Sequence, residues 1–336
     1  MGNIFLNNNR ELIYRGNYGN EILLFETQVI NWKQSSILFN RTYSRKATLS
    51  LDGKYMATTY SSNIYQSDDY GNPTGSTIGP TGSIWDSVGF SGVDSIDISS
   101  SGQYRLTCNF GDPSASQVSN DYGVNYSDVT ERIVFARSTS VSDTGQYMLT
   151  TGLITTAQSY LVSNDYGVSF TKSAGSINYR FLNSDISGDG KYMVGLNWQT
   201  TNVSISDDYG VSFNTPVDCG TDGRGISLSQ DGKYILVSGT NDCRLSTDYG
   251  VTWNTTFSGI NGPYYACDMS DSGEIMILGG TIEVFISFNY GQDWHLQTDD
   301  FIIGAEVAGV SGDGKYFLIA TDEGSGDDER FKVGQR

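Results

Sequence analysis

The sequence predicts an all-β fold, a seven-bladed β-propeller of four-stranded antiparallel blades closed by N-terminal strands that complete the last blade. Two short turn motifs alternate along the whole chain, and the first recurs seven times at the length of one blade. Composition agrees. The 336 residues include 40 glycines, above the usual level of about 7%, and 22 tyrosines, and no long apolar stretch shows a 3.6-residue period.

The first motif is Ser-x-(Asp/Ser/Thr)-Gly-(Lys/Gln)-Tyr, with glycines at Gly53, Gly102, Gly145, Gly190, Gly232, Gly273 and Gly314. Successive spacings of 49, 43, 45, 42, 41 and 41 residues each fit four short strands and their turns. Four residues before each glycine stand Leu49, Ile98, Val141, Ile186, Leu228, Met269 and Val310, which marks the innermost strand, A. After the turn, Tyr55, Tyr104, Tyr147, Tyr192, Tyr234 and Tyr316 open strand B, with Ile275 the exception. These stripes are read as packing between blades.

The second motif is Ser-x-Asp-Tyr-Gly, with glycines at Gly71, Gly123, Gly167, Gly210, Gly250 and Gly291, 18 to 22 residues after those of the first. That interval holds strand B, a loop and strand C, so the second turn leads into the outer strand, D. In both turns a Ser or Asp side chain bonds backbone groups that the bend leaves unpaired, and Gly takes positive φ without a steric cost. Asp69, Asp121, Asp165, Asp208, Asp248 and Asn289 are therefore structural residues, and Asn17 before Tyr18-Gly19 is a degenerate copy.

Blade seven has no second motif between Asp322 and Arg336. Strands at 11–15 and 21–25, around Asn17, are expected to supply its missing half and remove the open edges. Residues 1–322 are then one propeller, its last blade shared between 11–25 and 306–322, and 323–336 reads as a flexible tail.

A formal net charge of −18 disfavours nucleic acid and anionic membrane surfaces as partners. No signal peptide, lipidation site or membrane-inserting segment is readable, and no cofactor is implied. Cys108, Cys219, Cys243 and Cys267 have no C-x-x-C spacing, and His295 is the one histidine. Neither a metal cluster nor a Ser-His-Asp triad can be assembled from these residues, so no metal ligands and no catalytic residues are assigned.

Ser246-Thr247-Asp248-Tyr249-Gly250-Val251-Thr252-Trp253 resembles in full the Asp-box, or BNR, repeat Ser-x-Asp-x-Gly-x-Thr-Trp, and five other copies depart from it slightly. The resemblance implies a propeller. It is weak for function, since sialidases, glycan-processing enzymes, sorting receptors and a photosystem assembly factor share the turn. A sialidase would carry an Arg-Ile-Pro motif, three carboxylate-binding arginines and six blades. Here none of Pro73, Pro80, Pro113, Pro216 and Pro263 follows Arg-Ile, and seven repeats are present.

Both regular turns lie at one end of the strands, which leaves the irregular connections on the other face, a loop face suited to binding. The longest insertion, Asn72 to Val93, holds Trp85 and Phe90. Eight residues before each first-motif glycine stand Arg45, Asp94, Arg137, Leu182, Arg224, Tyr265 and Glu306, a ring expected at the channel mouth on that face. Its arginines are suited to an anionic group, and ring salt bridges are the alternative. The reading is a non-catalytic module that binds a protein or glycan through its loop face, with a virion or extracellular location favoured by the polar composition. A sialidase-like glycosidase or a complex-assembly factor is the alternative.

Overall fold

The computed structural model describes residues 3–6, 11–15, 21–26, 30–34, 46–60, 63–71, 86–88, 93–109, 116–130, 133, 135–152, 159–175, 181–197, 200–258, 263–280, 283–297, 305, 307–322 and 329–336. Among them are seven four-stranded antiparallel sheets, one three-stranded sheet and no helix. Blade four is typical, with strands Phe181–Ile186, Met193–Asn197, Asn202–Ser206 and Val217–Asp218 paired in chain order. Each innermost strand packs beside that of the next blade, and the last, Val307–Val310, packs against the first, Ala47–Leu49. The seven blades form a ring.

The turns follow the expected chemistry. In blade one Ser50 Oγ donates to Asp52 Oδ1 at 2.8 Å and accepts from Tyr55 N at 3.0 Å, while Asp52 Oδ1 accepts from Lys54 N at 3.0 Å. In blade three Ser163 Oγ donates to Asp165 Oδ1 at 2.7 Å and accepts from Gly167 N at 2.9 Å, and the Asp165 carboxylate holds Ser169 N and Oγ at 2.9 and 2.6 Å. These bonds hold the Asp165 carboxyl below its usual range against the opposing effect of burial.

The second turn also places its tyrosine at positive φ: Tyr70, Tyr122, Tyr166, Tyr209, Tyr249 and Tyr290 lie at 53° to 63°. Such a conformation costs about 1–2 kcal/mol for a residue other than glycine. It is offset by stacking, because each of these rings meets the first-motif tyrosine of the preceding blade, as in Tyr55–Tyr122 and Tyr104–Tyr166 at 5.0 Å and Tyr234–Tyr290 at 5.2 Å. The same first-motif tyrosine lies against the first-motif glycine of the next blade, where a Cβ on Gly102 would come within 2.5 Å of Tyr55. Blades one to six thus each clamp one ring of their predecessor between a glycine and a tyrosine.

Ile275 now has an explanation. Its ring position would face a second-motif tyrosine from blade seven, and the corresponding residue there is Arg336, whose N–H bonds Lys315 O at 2.9 Å as each of those tyrosines bonds its own blade. Aliphatic side chains fill the blade junctions, for example Val194, Leu196, Val203 and Ile205 of blade four with Ile226, Leu228, Ile235 and Val237 of blade five. Each fully buried side chain of this kind contributes roughly 1.5–3 kcal/mol.

The closure departs from expectation. Strands Glu11–Arg15 and Glu21–Glu26 pair with each other and with Asn3–Leu6 in the separate three-stranded sheet, not with blade seven. Asn17 lies outside the described residues. Blade seven takes its third strand from Glu329–Gln335, which the sequence reading assigned to a tail, and its outer strand from Asn31–Gln34. The polar run at 323–328 obscured an alternating segment behind it, in which Val333 and Lys332 are buried. The outer strand of blade one, Asp86–Val88, falls inside the stretch read as a long loop.

Candidate functional site

The innermost strands enclose a central channel, and the positions five residues before each first-motif glycine stand at equivalent places around it, with Thr48, Asp97, Asp185 and Asp268 lining its cavities. Around the ring these are Thr48, Asp97, Ser140, Asp185, Ser227, Asp268 and Gly309, so blades two, four and six each contribute a carboxylate. Asp97 accepts from Thr48 Oγ1 at 2.6 Å and from Val141 N at 2.9 Å. Asp185 accepts from Ile186 N at 2.9 Å and Leu228 N at 2.7 Å, and Asp268 from Ser227 Oγ at 3.1 Å and Val310 N at 2.8 Å. Each acid therefore holds a backbone N–H of the following blade.

Lys46 is the cation among them. Its Nζ lies 3.3 Å from Asp97 Oδ2 and donates to Thr139 O at 2.5 Å. Burial opposes its charge, but the fields of Asp97, Asp185 and Asp268 outweigh that and hold the ammonium above its usual range. Burial pushes Asp185 up to about 6 and Asp268 up to about 7, with Lys46 lowering the first and Asp185 raising the second. Lys46, Asn183, Tyr265 and Asp268 border a cavity of ≈ 80 Å³ toward the loop face. A second cavity of ≈ 110 Å³ lies toward the turn face, bordered by Ser100, Asp143 and Asp271.

The turn-face end is drawn tight by hydrogen bonds between first-motif turns. Leu51 N donates to Ser100 O, Asp143 N to Gly188 O, Gly188 N to Gln230 O, Gln230 N to Asp271 O, Asp271 N to Gly312 O and Asp313 N to Leu51 O, all at 2.8–3.0 Å. Ser100 Oγ completes the circuit by donating to Asp143 Oδ1 at 2.5 Å. Gln230 Nε2 reaches Asp143 Oδ2 from two blades away at 2.5 Å, across Gly188, where a side chain would block it.

Of the residues singled out from the sequence, Arg45, Glu306, Trp85 and Phe90 lie outside the described residues. Arg224 pairs with an acid of its own blade, Asp222 Oδ2 at 3.3 Å, and its Nε donates to Thr240 Oγ1 at 3.4 Å. Tyr265 borders the channel cavity and is 39% exposed. Asp94 and Arg137 stand at the starts of the innermost strands of blades two and three; the Asp94 carbonyl accepts from Thr59 Oγ1 at 3.1 Å. Asp69, Asp121, Asp165, Asp208, Asp248 and Asn289 sit inside their turns. His295, on its outer strand, is exposed beside Phe288 at 6.0 Å.

Sequence reasoning passed over Lys46, Asp97, Asp185 and Asp268. An acid in alternate copies of a buried strand position was the available signal, since carboxylates are rarely buried without partners. It passed over Phe135 as well. Among the described residues Phe135 is the one non-glycine at positive φ, 56°, that lies outside the Asp-Tyr-Gly turns, and it is 45% exposed. It stands ten residues before Gly145, the position that Asp222 occupies beside Arg224, on the connection leading to the innermost strand of blade three.

No protein-family model matches the chain, and no curated protein matches it in sequence. Solved structures do. Hydrazine synthase from Kuenenia stuttgartiensis superimposes with a TM-score of 0.64 at 15% identity, over 82% of this chain and 92% of that one. A GH74 enzyme from Niastella koreensis gives 0.66 at 13% identity, covering 89% of this chain and 53% of that one. The GH74 xyloglucanase from Xanthomonas campestris gives 0.65 at 11% identity, covering 87% and 52%. The chain spans about half the length of the two GH74 enzymes. At these identities the likeness establishes the propeller fold alone.

Proposed function

We propose that this propeller is a non-catalytic recognition or assembly module that contacts a protein or glycan through its loop face. The observation that carries the reading is Phe135, an aromatic ring turned partly to solvent on a backbone held at positive φ. Phe135 is 45% exposed, close to the 36–43% of the six second-motif tyrosines in the same conformation, but it lies on a connection toward the loop face and not in a regular turn. Strain of about 1–3 kcal/mol held at an exposed aromatic supports a contact role. Tyr265 and the Asp222–Arg224 pair occupy neighbouring positions at the starts of inner strands and extend the surface with groups suited to glycan or protein contact.

The channel is a poor place for catalysis. Its cavities of ≈ 80 and ≈ 110 Å³ fall below the roughly 300–1,000 Å³ of a small-molecule site, and each of its acids is engaged with backbone or hydroxyl donors. Glycoside hydrolysis is the second reading, favoured by the two GH74 propellers among the similar structures.

Phe135→Gly tests the proposal, because glycine accepts the backbone conformation while removing the ring. Stability should hold or rise by about 0.5–1 kcal/mol and partner binding should weaken. A loss of stability with binding intact would make Phe135 a packing residue and remove the main support for the loop-face reading.

A further inference from the structure

We propose that the central channel is a proton-sensitive staple of the ring, which holds the blades together most firmly in mildly acidic surroundings and loosens when Asp185 and Asp268 are both ionised. The geometry is a shared cavity. Asp185 on the inner strand of blade four and Asp268 on that of blade six border it together with Asp97 of blade two. Among the described residues the cation there is Lys46, which contacts Asp97 at 3.3 Å and so leaves the other two without a direct ion pair. At the corresponding positions blades one, three, five and seven present Thr48, Ser140, Ser227 and Gly309, none of which carries charge. Among the described residues the charged groups around Asp185 and Asp268 are Lys46, Asp97 and each other in this cavity, with Asp143 and Asp271 beside them at the turn-face cavity.

Each of the two acids bridges a blade junction, Asp185 to Leu228 N and Asp268 to Val310 N. Ionising both places two like charges in one small cavity beside a lysine already paired, and the repulsion acts on the junctions that these acids bridge. The junction between blades seven and one has no such bridge, because Gly309 stands there against Leu49 and Ala47.

The direction of the pH effect follows. Both carboxyls have folded-state values raised by burial, to about 6 and about 7, so the folded chain holds protons that the unfolded chain releases near pH 4. Their contribution is fully present below that pH and is lost as pH rises through 6 to 7. Asp271 at the turn-face end, pushed by burial and by Asp143 and Asp313 up to about 6, acts in the same sense. Asp121, Asp165 and Asp208 act in the opposite sense. Their values are lowered by turn hydrogen bonds, so their contribution is lost only as pH falls below about 4.

The test is the melting temperature of the whole chain from pH 5 to pH 8 at constant ionic strength. The wild type should lose several degrees over this range. Asp268→Asn and Asp185→Asn should each flatten the decline and melt above the wild type at pH 8. Lys46→Met should steepen it by removing the one counter-charge. As a check that does not depend on how the variants fold, infrared spectra of the wild type should show a protonated carboxyl band persisting at pH 6 and vanishing by pH 8. A wild-type melting temperature that is flat or rises from pH 5 to pH 8 would overturn the proposal. So would a slope left unchanged in both asparagine variants, or the absence of the protonated band at pH 6.

Discussion

Gly102→Ala is the sharpest probe of how the blades are joined. Gly102 has φ +74°, and a Cβ added there would lie 2.5 Å from Tyr55 Cδ2 and Cγ and 2.7 Å from Tyr55 Cβ. The backbone term for a non-glycine in this region is about 1–2 kcal/mol. The Tyr55 ring must then move away from Tyr122, now at 5.0 Å, which forfeits an aromatic contact of about 0.5–1.5 kcal/mol. Together these give roughly 1.5–3.5 kcal/mol. Gly220→Ala is the control, since Gly220 has φ +83° but a Cβ there meets only the flexible end of Arg244, at 3.3 Å. It should carry the backbone term alone, about 1–2 kcal/mol. Denaturant unfolding of both variants, and of each in a Tyr55→Ala background, separates the two contributions. The cost of Gly102→Ala should shrink by about 1 kcal/mol once Tyr55 is removed. Equal costs for the two alanines, or no coupling to Tyr55, would show that the glycine-tyrosine clamp does not join the blades.

Two further substitutions address polar groups at a junction and at the channel mouth. Arg105 is fully buried where blades one, three, four and six place Met56, Met148, Met193 and Met276, and its Nη1 donates to Gln66 Oε1 at 2.5 Å while its Nε donates to Gly102 O at 3.3 Å. Arg105→Met alone should destabilise by about 1–3 kcal/mol by stranding Gln66, whereas Arg105→Met with Gln66→Val should be neutral or stabilising, as judged by denaturant midpoints. Arg224→Ala should lower stability by less than about 1 kcal/mol, because the Asp222 pair is partly exposed, with side-chain accessibilities of 34% and 50%. If Arg224 contacts an anionic partner, the same change should weaken binding by a further 1.5–3 kcal/mol in titration calorimetry.

Seven blades were legible because a propeller writes its repeat in turn chemistry, and Ser, Asp and Gly at fixed offsets have few other uses. The tyrosine stripe was legible as inter-blade packing for the same reason. The positive φ of Tyr122 and its counterparts was not, since it depends on a ring in the neighbouring blade that only the assembled structure supplies. The last blade was misread because local composition at 323–328 signals a tail, while the strand after it is stabilised by pairing with Asn31–Gln34, some 300 residues away in sequence. At the candidate site, attention to the strand starts singled out Tyr265 and Arg224. It missed the carboxylates three residues further along, whose alternation between blades matters only when the strands face a common channel.

On the proposed reading the turn face is closed upon itself and the loop face makes contact. This is tested most directly by placing a charge on each face and comparing binding. Tyr265→Glu alters the loop-face mouth, where the ring is 39% exposed, and Val211→Glu alters the turn face, where the side chain is 69% exposed. Both sites are accessible enough for the fold to tolerate the change, which equal melting temperatures would confirm. Binding is read on a glycan panel that includes xyloglucan oligosaccharides, and on proteins that co-purify with the tagged wild-type chain, with product release from xyloglucan followed in parallel. Tyr265→Glu should abolish whatever binding the wild type shows, Val211→Glu should retain it, and no xyloglucan should be cleaved. Loss of binding in Val211→Glu with retention in Tyr265→Glu, or xyloglucan turnover by the wild type, would contradict that reading.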